Sequence, residues 1–274
     1  MKIYVRKSKN MIKYLAFDLD GTLLTSRGIV DLTSINSIKD FCDNYNCKVI
    51  LISGRHLKEM LQTAASIKTI TDSIAWLISC DGLYIYDKYF HKIYEKSFLS
   101  LDDVKLIVKR LNLCKVMCVT DSRDYILTTS YGEYIYQKIK NVFNSRTSVH
   151  GINWRHQIDE IEKVIVSADF DQCKRILENV FSIHAVSDDI EIMCKNVNKF
   201  EALRTLCIQQ NIDLDNILYF GDAHNDIECF QKLKNSVAMD NAPYEIKRLA
   251  SYVTKNNDSH GIASALSHYS NVIT

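Results

Sequence analysis

The sequence predicts an α/β protein with a Rossmann-like, doubly wound parallel sheet as its core and a second α/β domain inserted into that core. Near the start of the chain, short and continuously apolar segments alternate with segments whose apolar residues recur at helical spacing. Continuous apolar strands are typical of a parallel sheet that helices cover on both faces. Short strands then take over, and the first pattern returns at Lys199. This interruption predicts the insertion.

The first part of the predicted core, residues 1–83, begins with a basic and poorly patterned extension over residues 1–10. We expect the first strand, KYLAFDLD, to follow from about Met11. Thr33 is the expected N-cap of the next helix, whose apolar residues recur at helical spacing. Two more buried strands, KVILIS and SIAWLIS, are separated by a helix that contains Leu57.

The predicted inserted domain covers residues 84–194 and begins with a hairpin in DGLYIYDKYFHKIYEKSF. We expect its helices in LDDVKLIVKRL, at residues 134–143 and in DQCKRILENVF. We expect its strands near Val116, near Tyr125, in KVIVSA, near Ile183 and near Ile190. Short strands with helices between them predict a separate α/β unit built on an antiparallel sheet.

The core is predicted to resume over residues 195–274. Its expected elements are, in order, the helix KFEALRTLCIQQ, the buried strand NILYF, the helix NDIECFQKL, the strand SVAM, the helix PYEIKRLA, the short strand YVT and a last helix from Ile262.

Composition excludes several classes of protein. Of the 274 residues, 47% are hydrophobic, and the formal net charge is only +1, which argues against nucleic acid or an anionic membrane as partner. The nine cysteines include no C-x-x-C pair, so we expect reduced core thiols and no zinc site. No apolar run reaches the roughly 20 residues of a membrane span, and no signal peptide is recognisable. A cytoplasmic protein with a small-molecule partner is expected.

Polar residues follow the predicted core strands at the points where these strands end. They are Asp18 and Asp20 after the first strand, Ser53 and Gly54 after the second, and Gly221, Asp222, Asn225 and Asp226 after NILYF. Ligands of an open parallel sheet bind beyond the carboxyl ends of its strands. Carboxylates about 4 Å apart there repel by about 4 kcal/mol at an effective dielectric constant of about 20. A divalent cation would offset that repulsion, and the oxygen ligands favour Mg²⁺.

The segment DLDGT has two other interpretations, a calcium-binding loop and a plain turn. In a calcium loop counted from Asp18, the required glycine would fall on Leu23 and the closing glutamate on Ile29. Neither residue can fill its position, so the spacing excludes that loop. A turn that only ends the strand remains an alternative.

Four segments, DLDGTLL, ISGR, the lysine of VNKFEAL and GDAHND, resemble in order and spacing the four motifs of the haloacid dehalogenase-like phosphohydrolases. The similarity is to the Cof-like type, in which a cap domain is inserted between the second and third motifs. It covers nearly the whole chain from Tyr14. The resemblance implies a Mg²⁺-dependent phosphatase acting on a small phosphorylated metabolite, namely a sugar phosphate, a nucleotide or a cofactor phosphate. It also implies a cap that excludes water and selects the leaving group.

The resemblance also implies roles for the acidic residues. Asp18 would attack phosphorus and form an aspartyl-phosphate. Asp20 would protonate the leaving oxygen and then activate water. The Asp18 and Asp222 carboxylates and the Asp20 backbone carbonyl would hold Mg²⁺. Asp226 would either brace the metal loop or ligate the metal, and structural support is slightly favoured.

A second set of residues is implied to bind the phosphate. The Ser53 hydroxyl and the Leu19 and Gly54 N–H groups would donate to phosphate oxygens. Lys199 at the start of a helix would supply positive charge, although a lone lysine is usually an ordinary solvated side chain. Asn225 would bind phosphate or orient Lys199.

Some residues depart from the family pattern. Asp81 of CDGLY stands where the family often has asparagine, either as part of a plain D-G turn or as a negative charge near the site entrance that favours substrates carrying a donor or a cation. Asp240 stands where glycine is common, which leaves the place of Asn241 uncertain. His224 receives no role.

Two other functions remain possible from the sequence. One is a binding or regulatory protein that has lost turnover, against which the presence of Asp18, Asp20, Lys199 and Asp222 counts. The other is a phosphomutase, which would transfer the phosphoryl group to a sugar hydroxyl instead of water. Release of inorganic phosphate separates these outcomes.

Overall fold

The computed structural model describes residues 12–68, 72–113, 116–120, 125–128, 148–151, 160–186 and 189–273. The chain divides into a larger unit, Met1–Tyr94 with Lys199–Thr274, and a smaller unit, Glu95–Asn198. The smaller unit is continuous in sequence and separates the two segments of the larger one. The extension predicted over residues 1–10 and the helix predicted at residues 134–143 lie outside the described residues.

Among the described residues the elements are, in chain order, β1 (Tyr14–Asp18), α1 (Leu32–Tyr45), β2 (Lys48–Ile52), α2 (Leu57–Lys68), β3 (Ile74–Ser79), β4 (Tyr84–Asp87), β5 (Lys92–Glu95), α3 (Leu101–Leu111), β6 (Met117–Thr120), β7 (Tyr125–Thr128), β8 (Ser148–Gly151), β9 (Ile161–Val166), α4 (Phe170–Leu177), β10 (Phe181–Val186), β11 (Asp189–Cys194), α5 (Lys199–Gln210), β12 (Ile217–Gly221), α6 (Ile227–Lys232), β13 (Asn235–Ala238), α7 (Tyr244–Lys247), β14 (Tyr252–Val253) and α8 (Gly261–Ile273).

The larger unit contains an eight-stranded sheet with strand order β14-β13-β12-β1-β2-β3-β4-β5. Its strands are parallel from β14 to β3, and β4 pairs antiparallel with β3. The central strand β1 is buried on both faces: Leu15 and Phe17 join one apolar cluster and Ala16 joins the other. These observations confirm the predicted α/β class with a parallel core between two apolar layers.

The N-cap of helix α1 lies two residues earlier than predicted. Asp31, not Thr33, is the N-cap, because its side chain accepts hydrogen bonds from the Ser34 backbone N–H at 3.0 Å and from the Ser34 hydroxyl at 2.6 Å. Thr33 lies within the first turn. Both residue types favour caps, so the choice depends on the direction in which the chain enters the helix.

The hairpin β4–β5 belongs to the larger unit, whereas the sequence placed the first domain boundary near residue 83. The pairing of Ser79 with Tyr84 turns the chain straight back along β3, and Tyr84 and Ile85 are buried. The division between the units therefore falls after Tyr94 and again before Lys199. The hairpin itself was predicted, but the sequence of a hairpin does not indicate which other strand it will pair with.

The smaller unit contains a six-stranded sheet with strand order β10-β11-β9-β6-β7-β8. Its pairs are antiparallel except β7–β8, which is parallel and so corrects the antiparallel expectation in part. The strand β8 was not predicted, because SVHG has no alternating apolar pattern. Helices α3 and α4 pack on this sheet through an apolar cluster that includes Val104, Ile107, Cys173 and Leu177.

None of the helices in the described segments has both the length and the apolar character needed to cross a membrane.

Candidate active site

The carboxyl ends of β1, β2 and β12 meet at one edge of the larger sheet. Because β1 pairs with both β2 and β12, Asp18 lies opposite Ile52 on one side, and Phe17 lies opposite Phe220 on the other. The residues that follow these strands therefore converge, as the sequence predicted.

Asp18 and Lys199 form a buried ion pair at this edge. The Lys199 ammonium donates to Asp18 Oδ1 at 2.6 Å and to Asp226 Oδ1 at 2.6 Å. Lys199 begins α5, as predicted, and is completely buried, which excludes the solvated-lysine interpretation. A buried lysine requires negative partners, and this one has two in direct contact.

The pKa directions in this group show an excess of negative charge. Burial by itself lowers the pKa of Lys199, but the carboxylates of Asp18, Asp226 and Asp81 raise it well above its ordinary value. Burial raises the pKa of Asp18, Lys199 opposes that rise, and Asp226 and Asp222 add to it. One ammonium therefore does not balance the surrounding carboxylates.

Asp226 connects several parts of the site. Its Oδ1 accepts from Lys199 Nζ and from the Tyr219 hydroxyl, both at 2.6 Å. Its Oδ2 accepts from the backbone N–H groups of Asp222 and Ala223, both at 2.9 Å. These four bonds agree with the favoured interpretation of Asp226 as the brace of the loop after β12. Sequence reasoning missed Tyr219, because a tyrosine inside the apolar segment NILYF looks like ordinary core.

Asp222 follows β12 and lies within hydrogen-bonding distance of two further side chains. Thr22 Oγ1 donates to Asp222 Oδ1 at 2.8 Å, and Asn241 Nδ2 donates to Asp222 Oδ2 at 3.0 Å. Burial raises the pKa of Asp222 to about 6, with Thr22 opposing and Asp226 adding to the rise. Thr22 was missed, although it lies inside DLDGTLL.

Asn241 keeps a place at the site although Asp240 precedes it. Asn241 Nδ2 also donates to the Gly21 carbonyl at 2.8 Å. Asp240 turns away from the carboxylates and pairs with Lys247 at 3.0 Å. The Asp240 departure therefore leaves the site intact.

Three carboxylates are close enough to share one cation. One oxygen each from Asp18, Asp222 and Asp226 lies within 4.8 Å of the others. These carboxylates are hard oxygen donors at one edge of the sheet, where they outnumber the Lys199 ammonium, so they fit a divalent cation. The sequence predicted Asp18, Asp222 and the Asp20 carbonyl as ligands; Asp226 lies close to them but already accepts four hydrogen bonds.

The Asp20 side chain lies outside this buried group and forms an ion pair with Arg55. Arg55 Nε donates to Asp20 Oδ2 at 2.7 Å, and Arg55 Nη2 donates to Oδ1 at 2.5 Å. The Asp20 side chain remains 59% exposed. Arg55 is the arginine of ISGR, to which the sequence assigned no role. The pair fixes the direction of a carboxylate that is otherwise free to rotate in solvent.

The predicted phosphate-binding residues Leu19, Ser53 and Gly54 lie at the same edge. Leu19 directly follows β1, and Ser53 directly follows β2, where its Oγ accepts from the Arg55 N–H at 3.1 Å. The structure gives a reason for glycine at position 54, since a Cβ there would lie 2.8 Å from Asp81 Oδ2.

Asn225 and Asp81 form a hydrogen bond that the sequence did not predict. Asn225 Nδ2 donates to Asp81 Oδ1 at 2.9 Å. Asp81 is only 1% exposed, so its carboxylate is buried beside Asn225 and does not lie at an open entrance. It does lie in a turn, Cys80–Gly82, as the alternative interpretation held. His224 has an exposed side chain whose Nε2 lies 3.8 Å from Glu245 Oε1.

Gly21 should tolerate no side chain, and Gly28 offers a matched control. Both have left-handed backbone, with φ of +76° and +73°. A Cβ at Gly21 would lie 2.2 Å from Asp222 Oδ2, whereas a Cβ at Gly28 meets nothing within 4 Å. Gly28→Ala should cost only the backbone strain of about 1–2 kcal/mol. Gly21→Ala should cost more and should weaken the rise in Tm that we expect on addition of Mg²⁺, which thermal unfolding with and without Mg²⁺ measures. Equal Mg²⁺ responses in the two variants would contradict this placement of Asp222.

Comparisons with known proteins agree with this geometry. The family model described as haloacid dehalogenase-like hydrolase matches residues 15–266. The 5-amino-6-(5-phospho-D-ribitylamino)uracil phosphatase YcsE of Bacillus subtilis is 24% identical, over 94% of this chain and 96% of the relative. The pyridoxal phosphate phosphatase YbhA of Escherichia coli is 24% identical, over 95% of this chain and 99% of the relative.

A solved structure shares the fold. BT1666 of Bacteroides thetaiotaomicron, from the haloalkanoate (HAD) superfamily of phosphatases, superposes with a TM-score of 0.79 at 18% identity, over 98% of this chain and 99% of that one. The match of the family model to nearly the whole chain settles the assignment. The chain belongs to the haloacid dehalogenase-like hydrolases.

Proposed function

We propose that this protein is a Mg²⁺-dependent phosphatase that hydrolyses a small phosphorylated metabolite through an aspartyl-phosphate intermediate. The observation that carries the proposal is the buried Asp18–Lys199 pair at the end of β1, with Asp222 and Asp226 beside it. Two named relatives that align along nearly the whole chain are phosphatases of phosphorylated small molecules, which supports the substrate class.

Asp18 is the proposed nucleophile. Lys199 contacts Asp18 Oδ1, so it fixes the carboxylate and leaves the second oxygen to attack phosphorus. The attack breaks the bond to the leaving oxygen and leaves the phosphoryl group on Asp18, and water then cleaves this acyl phosphate to release inorganic phosphate. Lys199 also supplies positive charge for an incoming phosphate, within an otherwise negative group.

Asp18 and Asp222, with the Asp20 backbone carbonyl, are the proposed ligands of Mg²⁺. When bound, the ion supplies positive charge that lets an anionic nucleophile approach an anionic phosphate. Asp226 stabilises the loop that carries Asp222, because its carboxylate accepts hydrogen bonds from the Asp222 and Ala223 backbone N–H groups. Thr22 and Asn241 fix the direction of the Asp222 carboxylate.

The Ser53 hydroxyl, the Leu19 and Gly54 N–H groups, Lys199 and Asn225 are the proposed phosphate contacts. An amide nitrogen has two protons, so Asn225 retains one for a ligand while it donates the other to Asp81. The smaller unit is our candidate for the cap domain that selects the leaving group.

The experiment that tests the proposal is an assay of inorganic phosphate release. The full chain is supplied with p-nitrophenyl phosphate and with a panel of sugar phosphates, nucleotides and cofactor phosphates, with Mg²⁺ or with EDTA. We expect phosphate release that requires Mg²⁺. Conversion of a sugar phosphate to an isomer without phosphate release would indicate a phosphomutase. Binding without any turnover would indicate a regulatory protein.

Asp20 is the proposed acid that protonates the leaving oxygen, and Arg55 should be a positioning residue for it. Arg55→Met removes both bonds to the Asp20 carboxylate and should slow hydrolysis of an alkyl phosphate about tenfold or more. Hydrolysis of p-nitrophenyl phosphate should change little, because its leaving group needs no proton. The measurement is kcat/KM on both substrates.

Two further variants control this prediction. Asp20→Asn should show the same dependence on the leaving group, and Arg55→Lys should not restore activity, because an ammonium cannot make the two parallel bonds of a guanidinium. Equal losses on both substrates in Arg55→Met would show a general structural defect and contradict the positioning role.

A further inference from the structure

Asp81 is a buried residue of the larger unit and lies in the turn Cys80–Gly82, which follows β3. Cys80, Asp81 and Gly82 all have left-handed backbone, with φ of 50°, 50° and 103°. The Cys80 N–H donates to the Arg55 carbonyl and the Asp81 N–H donates to the Ser53 carbonyl, both at 3.0 Å. These two bonds fasten the turn after β3 to the loop after β2. Strained backbone held in this way often marks a functional position.

The residues around Asp81 are those proposed to bind phosphate. Asn225 Nδ2 donates to Asp81 Oδ1 at 2.9 Å, and a Cβ at Gly54 would lie 2.8 Å from Asp81 Oδ2. Asn225 Oδ1 is buried and accepts no hydrogen bond from a described residue, so Asp81 is what orients the amide. Burial disfavours the charged Lys199, and Asp81 joins Asp18 and Asp226 in raising its pKa.

The charge at this position works against an anionic ligand. Asp18 and Asp226 already contact Lys199 and Asp222 lies close to both carboxylates, so Asp81 adds a fourth carboxylate, which no proposed step of hydrolysis uses. An ionised carboxylate is also an acceptor only, so it occupies one Asn225 proton that would otherwise be available to phosphate. Repulsion between a carboxylate and a phosphate dianion within a few ångströms is strong where water is largely excluded.

We propose that Asp81 is an affinity-determining residue whose buried carboxylate limits how tightly the site holds phosphate, so that product inorganic phosphate leaves readily. The proposal rests on the proposed function, because it places phosphate at Gly54, Lys199 and Asn225. It assigns Asp81 a role in ligand affinity beyond its part in the turn.

The test is Asp81→Asn, which removes the charge and keeps an acceptor for Asn225. Asparagine adopts left-handed backbone readily, so the turn is preserved. We expect the inhibition constant of inorganic phosphate against p-nitrophenyl phosphate hydrolysis, measured with Mg²⁺, to fall about tenfold or more. A variant that merely damaged the site would bind phosphate more weakly, so the sign of the change decides. An unchanged or higher inhibition constant overturns the proposal.

A second variant and a direct measurement separate this proposal from the proposed function. Asp81→Gly also suits positive φ and removes the charge, so its inhibition constant should fall as well. Asp240→Asn is the matched control, since Asp240 pairs with Lys247 at the surface and its removal should leave the constant unchanged. If the wild type shows no turnover, the proposed function fails, and calorimetric titration of inorganic phosphate into wild type and Asp81→Asn still decides whether Asp81 weakens binding.

Discussion

Replacing Asp18 by asparagine should reduce release of inorganic phosphate by at least about 10³-fold on every substrate that the wild type hydrolyses. The amide of asparagine has no charge and is a poor nucleophile, so no phosphoryl-enzyme forms. Because burial and the neighbouring carboxylates raise the pKa of Asp18, the folded protein favours an uncharged side chain there. The variant should therefore unfold at a Tm no lower than that of the wild type when no divalent cation is present.

This pairing of lost activity with retained stability distinguishes a nucleophile from a structural residue. The control is Asp43→Asn, on the exposed face of α1, where Asp43 pairs with Lys39. It should leave both activity and Tm unchanged. Phosphate release by Asp18→Asn at a rate near that of the wild type would remove the covalent mechanism.

Replacing Asp226 by alanine should cause the largest loss of stability among the site variants. Four donors lose their acceptor: the Lys199 ammonium, the Tyr219 hydroxyl and two backbone N–H groups. Breaking a buried pair by removing one partner costs about 3–5 kcal/mol. Urea unfolding measures this loss, and phosphatase activity should fall with it, because the loop that carries Asp222 loses its support.

A graded series tests whether Asp226 acts through these bonds. Tyr219→Phe removes one of the four and should cost about 1 kcal/mol with activity close to that of the wild type. Asp226→Asn removes the charge and keeps an acceptor oxygen, so its cost should lie between those of the other two variants. An alanine variant no less stable than Tyr219→Phe would show that Asp226 is not the brace.

The convergence of Asp18, Ser53 and Asp222 was predictable because it depends on sheet topology alone. Asp18 is the last residue of an apolar strand, and Ser53 and Asp222 directly follow two others. The carboxyl ends of neighbouring parallel strands necessarily lie at one edge. Lys199 was predictable as the first residue of a helix, and its burial follows once two carboxylates surround it. Residue type and position along an element carried enough information for these placements.

Contacts between side chains of separate elements were not predictable. Nothing in NILYF indicates that the Tyr219 hydroxyl reaches Asp226, or that Asn225 turns toward Asp81. Such contacts depend on rotamers and on distances set by packing, which leave no periodic signal. The same limit explains why the structure divides the chain after Tyr94 and not near residue 83, since the pairing of β4 with β3 is a tertiary contact.

The ion pair between Asp18 and Lys199 spans 181 positions of the chain. During synthesis from the N-terminus, Asp18, the proposed nucleophile, therefore emerges long before Lys199, and before Asp222 and Asp226. A nascent chain that ends within the smaller unit contains Asp18 but lacks Lys199, Asp222 and Asp226. On the proposed mechanism, hydrolysis then requires the second segment of the larger unit to be translated and folded against the first. The order of synthesis would therefore delay assembly of the proposed active site until Lys199 and the strand before Asp222 have been made.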